Sequence, residues 1–185
     1  LPAVCSGKSI LVAAITDKGA HWGAESVETR LARTADGLVL DGAKRFVYDA
    51  EGATGFVCAA RTESGETALV LVDRRSPGVS ITPHAGFMVS LAEVRFDKVK
   101  VPLSNMLGAA GAGWRILDAA LEKALPVLCA YQVGACQEIF DFTAEYTRTR
   151  VVFGQPIGRF QRVQDHCVDL SVHLDAARWV TYETL

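Results

Sequence analysis

The sequence predicts an α+β fold: an antiparallel β-barrel or sandwich domain followed by long antiparallel helices of a helical-bundle domain. Three observations predict it. Short apolar runs separated by turn residues fill the N-terminal half. After Asn105 the apolar spacing changes to steps of three and four. Strands and helices come in blocks rather than in alternation, which is the segregated layout. The expected domains are residues 1–107 and residues 108–185.

The β block reads in order. Leu11 to Thr16 is a short run of strand formers. Leu38-Val39-Leu40 and Arg45-Phe46-Val47 flank Asp41-Gly42, a dipeptide suited to a tight hairpin turn. Ser64-Gly65 separates Phe56–Arg61 from Ala68–Val72 in the same manner. Pro77-Gly78 has type II turn chemistry, and Val79–Thr82 and Leu91–Val101 complete the set.

Gly108, Gly111 and Gly113 then predict a flexible joint. Leu117, Leu121, Ala124, Leu128, Tyr131, Ala135, Ile139 and Phe142 draw one apolar stripe along a long helix. Pro126 predicts a kink within it. A loop is expected at Phe153-Gly154-Gln155-Pro156, after which Val163, Cys167, Leu170, Leu174 and Ala177 resume the stripe. Helices with this pattern need further sequence or other subunits to cover them.

Composition narrows the function. The chain has 185 residues, 50% of them hydrophobic, with a formal net charge of -2. That suits a folded core, opposes disorder and supplies no surface for bulk nucleic-acid binding. No apolar run reaches the length of a membrane span. The first residues lack the charged start and apolar stretch expected of a signal peptide and do not begin with Met. A piece of a longer chain is therefore expected and, with the cysteines read as free thiols, a cytoplasmic location. Five cysteines without a C-x-x-C pair argue against a disulfide framework or zinc site, and Cys129 and Cys136 are expected to be buried. His166 and His173 are expected at the surface, and no metal is assigned. The G-x-x-G-x-G order at Gly108 to Gly113, without βαβ alternation around it, opposes a dinucleotide-binding loop. From Thr143 to Arg162 four arginines face one acid, Glu145, which suits either phosphate contact or a solvated helix end.

Several ordered motifs carry a family resemblance. They are Leu1-Pro2 with Ser6-Gly7-Lys8 and Ala14-Ile15-Thr16-Asp17; Leu40-Asp41-Gly42-Ala43-Lys44-Arg45-Phe46-Val47; and Val101-Pro102 with Asn105, Leu107-Gly108 and Gly111-x-Gly113-Trp114. The most specific is Tyr146-x-x-x-Arg150-x-x-Phe153-Gly154-x-Pro156-Ile157-x-x-Phe160-Gln161-x-x-Gln164. Together they resemble the acyl-CoA dehydrogenase family, over its middle β domain and the start of its C-terminal helical domain.

The resemblance implies an FAD enzyme of the oxidoreductase class that assembles as homo- or hetero-oligomers. It implies α,β-dehydrogenation of an acyl-CoA thioester in lipid metabolism, with an electron-transfer flavoprotein or similar acceptor. By the same resemblance Thr16 presents a hydroxyl to the flavin, and Phe46 lies against its ring. Arg150, Phe153 and Gln161 match the part that a neighbouring subunit lends to the cofactor's diphosphate end.

The sequence departs from the family at three places. Trp22, within Gly19-Ala20-His21-Trp22-Gly23, stands where a cofactor-contacting serine is usual, and Tyr48 stands where a small hydroxyl is usual. Ala124 occupies one of the two positions at which the family carries its catalytic glutamate, and Glu122 is about 200° away around the helix, so no catalytic residue is assigned. These departures raise the alternative of a degenerate, non-catalytic partner subunit that contributes only to a neighbour's flavin site. A purely structural subunit and a flavin oxidase are the other readings.

Overall fold

The structure, a computed structural model, describes residues 2–19, 22–86, 89–109 and 111–184. Leu1, Ala20, His21 and Ala110, which the sequence reading used, lie outside the described residues. The chain divides into two compact units, Leu1–Asp118 and Ala119–Leu185.

The first unit opens with one helical turn, α1 (Pro2–Cys5), followed by β1 (Leu11–Ala14), β2 (Arg30–Thr34), β3 (Gly37–Tyr48), β4 (Gly55–Thr62), β5 (Thr67–Asp73), β6 (Val79–His84), β7 (Leu91–Val101) and β8 (Met106–Leu107). These form one eight-stranded sheet in the order β6-β7-β3-β2-β4-β5-β8, with β1 also on β4. The architecture is α+β as expected, but the sheet is an open path rather than a closed barrel, and it is mixed rather than antiparallel. β1 runs parallel to β4 in the register Leu11↔Gly55 to Ala14↔Cys58, and β2 is parallel to it at Arg30↔Arg61 and Leu31↔Thr62. The physical reason is the long connection over residues 15–29, which lets β1 and β2 occupy successive stretches of one edge of β4 instead of turning back as a hairpin.

The Asp41-Gly42 hairpin does not form, because β3 runs straight through both residues. The turn lies earlier, at Ala35-Asp36, where Thr34 pairs with Gly37. Gly42 serves close packing instead: a Cβ there would stand 2.7 Å from Thr29 Oγ1 and 2.8 Å from Thr29 Cα. Strand β2 escaped the sequence reading because only Leu31 of its five residues is buried. The turns at Ser64-Gly65 and Pro77-Gly78 form as expected, the second closed by Val79 N–H donating to Ser76 O at 3.1 Å. Leu40, Phe56, Val94, Phe96 and Val99 centre the core, with the Phe56 and Phe96 rings edge to face at 6.1 Å. The expected flexible joint is pinned at Gly113, where a Cβ would approach Ala68 Cα within 2.7 Å.

Helix α2 (Gly113–Thr149) continues unbroken through Pro126, and α3 (Gln161–Glu183) follows a small hairpin. Within the second unit the two helices are held antiparallel by the Arg178 guanidinium, which donates to Gln137 Oε1, and by packing at Leu174 and Thr181. The expected stripe is not covered: Leu128, Tyr131, Ile139 and Phe142 are all exposed, Tyr131 at 72%. Cys129 and Cys136 are exposed as well, against expectation. They sit on the rim of an apolar groove of about 650 Å³ between the helices, lined also by Val133, Phe140 and Leu174. Seven-residue spacing puts both thiols on one helix face, but burial depends on a facing element, and α3 covers only part of that face. His166 and His173 are exposed, and among the described residues no side-chain group suits a metal and no helix is long and apolar enough to cross a membrane.

Cys58 is the one thiol in the β core, fully buried and close enough to the salt bridge of Lys44 and Asp17 to feel both charges. Burial, the largest influence, pushes it up from 9.0 to about 12; Lys44 pulls it back and Asp17 adds to the rise. A thiol raised in the folded state contributes stability that is complete below its unfolded value and lost as pH climbs to its folded value. The native chain should therefore lose about 1.4 kcal/mol per pH unit across that window through this group. Denaturant melts of Cys58→Ala should show a correspondingly shallower alkaline decline. Equal slopes for the two proteins would contradict the assignment.

Candidate functional site

In the first unit the candidate residues are set by an interruption in β3. Leu38, Leu40 and Lys44 share the inward face, as residues two or four apart along a strand must. Between Lys44↔Val94 and Val47↔Ala92 the register slips by one residue, so Arg45-Phe46 forms a bulge. After it the inward parity changes, and Val47 is buried. Phe46 takes φ 55°, in the left-handed region, at a cost of about 1–2 kcal/mol for a residue with a Cβ. A bulge re-aims a side chain, and here it leaves a large aromatic ring 48% exposed, with the His84 ring 6.4 Å away.

Thr16 lies directly beside this bulge, its carbonyl accepting from Arg45 N–H at 2.8 Å. The residue is half-buried, and its hydroxyl makes no hydrogen bond among the described residues. Thr16 and the Phe46 bulge thus lie on adjacent stretches of backbone, one carrying a free hydroxyl and the other an exposed ring.

Beneath them is a polar cluster that the sequence reading passed over. Lys44 Nζ lies 2.5 Å from Asp17 Oδ2, with side-chain exposures of 0% and 3%, and it also donates to Ile15 O at 2.9 Å. Asp17 accepts from Thr29 Oγ1 at 2.6 Å, from Glu28 N–H at 3.0 Å and from Thr29 N–H at 3.3 Å. The available signal was parity, since Lys44 follows Leu38 and Leu40 on the same face and had to point inward. Arg61 is a second such residue. Its guanidinium donates to the carbonyls of Val27, Ala24, Glu25 and Gly65, which ties the loop before β2 to β4.

The same connection carries Trp22, which is 55% exposed and has its ring 5.5 Å from that of Trp114. Tyr48, the other departure from the family pattern, is also exposed. The two aromatic residues therefore occupy surface rather than core.

In the second unit Arg150 and Phe153 belong to one small hairpin, and Gln161 begins α3 after it. β9 (Val151–Val152) pairs with β10 (Gln155–Pro156), and Phe153-Gly154 forms the two-residue turn between them. Their φ values, 55° and 77°, are the positive pair of a type I′ turn. Arg150 stands at the base, its carbonyl accepting from Ile157 N–H at 2.9 Å. Its guanidinium is exposed and makes no hydrogen bond or ion pair among the described residues. Phe153 crowns the tip at 91% exposure, edge-on to Phe160 at 6.4 Å, and Gln161 follows as the first residue of α3. Of the neighbouring cations, Arg148 pairs with Glu145 and Arg162 with Asp165, both at the surface.

Comparison with known proteins matches the chain over most of its length. Residues 12–99 match the profile "Acyl-CoA dehydrogenase, middle domain", and residues 111–185 match "Acyl-CoA dehydrogenase, C-terminal domain". The short/branched chain specific acyl-CoA dehydrogenase of Rattus norvegicus mitochondria is 30% identical over 176 residues, covering 91% of this chain and 41% of the relative. The butyryl-CoA dehydrogenase structure from Megasphaera elsdenii superposes with a TM-score of 0.92 at 25% identity, over 98% of this chain and 50% of that one. A structure described as an FAD-dependent dehydrogenase gives 0.92 at 29% identity, over 99% and 51%. The chain spans about half the length of the relatives it matches. Two profiles of one family in chain order, on a fold that superposes on its solved members, lead to one conclusion: the chain belongs to the acyl-CoA dehydrogenase family.

Proposed function

We propose that the chain is the flavin-binding part of a subunit that carries out FAD-dependent α,β-dehydrogenation of an acyl-CoA thioester within an oligomer, passing electrons to an electron-transfer flavoprotein or similar acceptor. The observation that carries this reading is the Phe46 bulge. A strained, half-exposed aromatic beside an uncommitted threonine hydroxyl is a costly arrangement for a free surface and a suitable one against a flat, hydrogen-bonding ring. The residues fit FAD in chemistry: Thr16 supplies a donor, Phe46 an apolar face, and Arg150 with Gln161 a cation and an amide for a diphosphate. FAD held by these residues would supply the hydride acceptor for the β carbon of the thioester.

The chain's own contribution is binding and orientation. Thr16 would donate a hydrogen bond to the flavin as it gains charge, and Phe46 would help keep water from its ring. Arg150, unpaired among the described residues, would neutralise phosphate, presented to a neighbouring subunit with Phe153 on the type I′ hairpin and Gln161 at the start of α3. The α proton needs a base that these residues do not supply, since Ala124 has no accepting group and Glu122 is an exposed residue elsewhere on the helix.

A second reading, the degenerate partner subunit, is favoured by Trp22 and Tyr48. Each places a large exposed aromatic where the family uses a small hydroxyl. In that case the hairpin serves a neighbour's cofactor while the chain's own β unit holds none. Expression of the chain alone and with candidate neighbouring subunits, followed by extraction and counting of flavin per chain, separates the two. One FAD per chain in the lone protein removes the degenerate reading. No flavin in any combination removes both.

Phe153 gives an independent check. Asparagine tolerates the left-handed turn position better than phenylalanine. Phe153→Asn should therefore raise the thermal stability of the second unit, by about 0.5–1 kcal/mol, while weakening retention of flavin in the assembly. A variant that is both more stable and fully flavin-loaded would show that the ring has no role at the cofactor.

A further inference from the structure

Among the described residues, Asp17, Lys44 and Thr29 form a buried, hydrogen-bonded polar cluster in the first unit, and stability alone does not account for it. A buried ion pair commonly contributes no more than apolar side chains of the same volume would. What it offers over them is direction. Here it joins three stretches of chain: residues 15–17 after β1, residues 28–29 before β2, and Lys44 on β3. Lys44 is the last residue before the bulge that raises Phe46, and the next residue, Arg45, donates its N–H to Thr16 O. Thr16 is therefore held on both sides. The carbonyl before it is fixed by Lys44, the side chain after it is fixed by three donors from residues 28–29, and its hydroxyl is left free.

We propose that Asp17 and Lys44 act as a positioning pair, anchored by Thr29, which fixes the Thr16 hydroxyl relative to the Phe46 ring for a flavin that meets both. The proposal rests on the flavin reading above and adds to it the residues that set the geometry. Neither member of the pair touches the cofactor, because both are buried.

The test uses the full chain, with whichever neighbouring subunit completes its flavin uptake, and measures FAD affinity and the absorption spectrum of the bound flavin. Lys44→Met combined with Asp17→Asn removes both charges together and keeps an acceptor for Thr29. This variant is expected to bind FAD at least tenfold more weakly than wild type and to shift the flavin bands. Thr29→Val keeps the ion pair but removes the 2.6 Å bond to Asp17, and is expected to weaken FAD by at least threefold while remaining folded. Val99→Ala, a change in the apolar core, serves as the control that lowers the melting temperature without moving the spectrum. Wild-type affinity and spectrum in Thr29→Val, or in the folded double variant, overturns the proposal while leaving the flavin reading intact. Wild-type protein that takes up no FAD in any assembly overturns the flavin reading itself and the positioning role with it.

Discussion

Lys44→Met alone is expected to destabilise the first unit by about 3–5 kcal/mol, the cost of leaving a buried charge without its partner. Asp17 would remain enclosed with its hydrogen bonds from Glu28 and Thr29 but with no cation. Ile15 O would lose the donor it has in Lys44 Nζ. The loss should appear as a lower urea midpoint at unchanged slope. Adding Asp17→Asn should recover a substantial part of it, since the stranded charge is then gone. This asymmetry between the single and the double change is the signature of a buried pair. A single variant no less stable than the double one would mean that Lys44 acts only as a space-filling chain.

Arg150→Ala is expected to reduce FAD affinity of the assembled protein at least tenfold, with about 1.5–3 kcal/mol lost for a hydrogen bond to a charged group. The same change should leave the stability of the second unit nearly unaltered, because the guanidinium makes no bond within its own chain among the described residues. Arg150→Lys should fall between the two, since an ammonium keeps the charge but not the planar fork. Equilibrium dialysis at two salt concentrations reads both parts. The difference between wild type and Arg150→Ala should narrow as salt rises, because an exposed charge is screened. Undiminished flavin binding by Arg150→Ala would remove the hairpin from the cofactor site.

Much of the site was legible as motif and little of it as geometry. Arg150, Phe153 and Gln161 are close in sequence, and a two-residue turn places the first two on one hairpin with the third at the start of α3, so local chain chemistry sufficed. Thr16 and Phe46 are far apart in sequence and meet only because Arg45 N–H reaches Thr16 O. The hairpin expected at Asp41-Gly42 failed for a related reason. The glycine signal is real, but a close approach by Thr29 uses it in place of a turn. The two cysteines of α2 were misplaced because helical periodicity shows which residues share a face and not whether anything covers it.

By itself the sequence determined that a block of strands precedes a block of helices, the turns at Ser64-Gly65 and Pro77-Gly78, and the break between α2 and α3 at Phe153–Pro156, all of which depend on short-range periodicity and backbone preference. Tertiary structure alone decided that β1 and β2 lie parallel on one edge of β4, that Lys44 closes on Asp17, and that a bulge turns Phe46 outward. Each of those depends on contacts between distant segments, where pairing register and the burial of a charge are settled by whatever the rest of the chain places opposite.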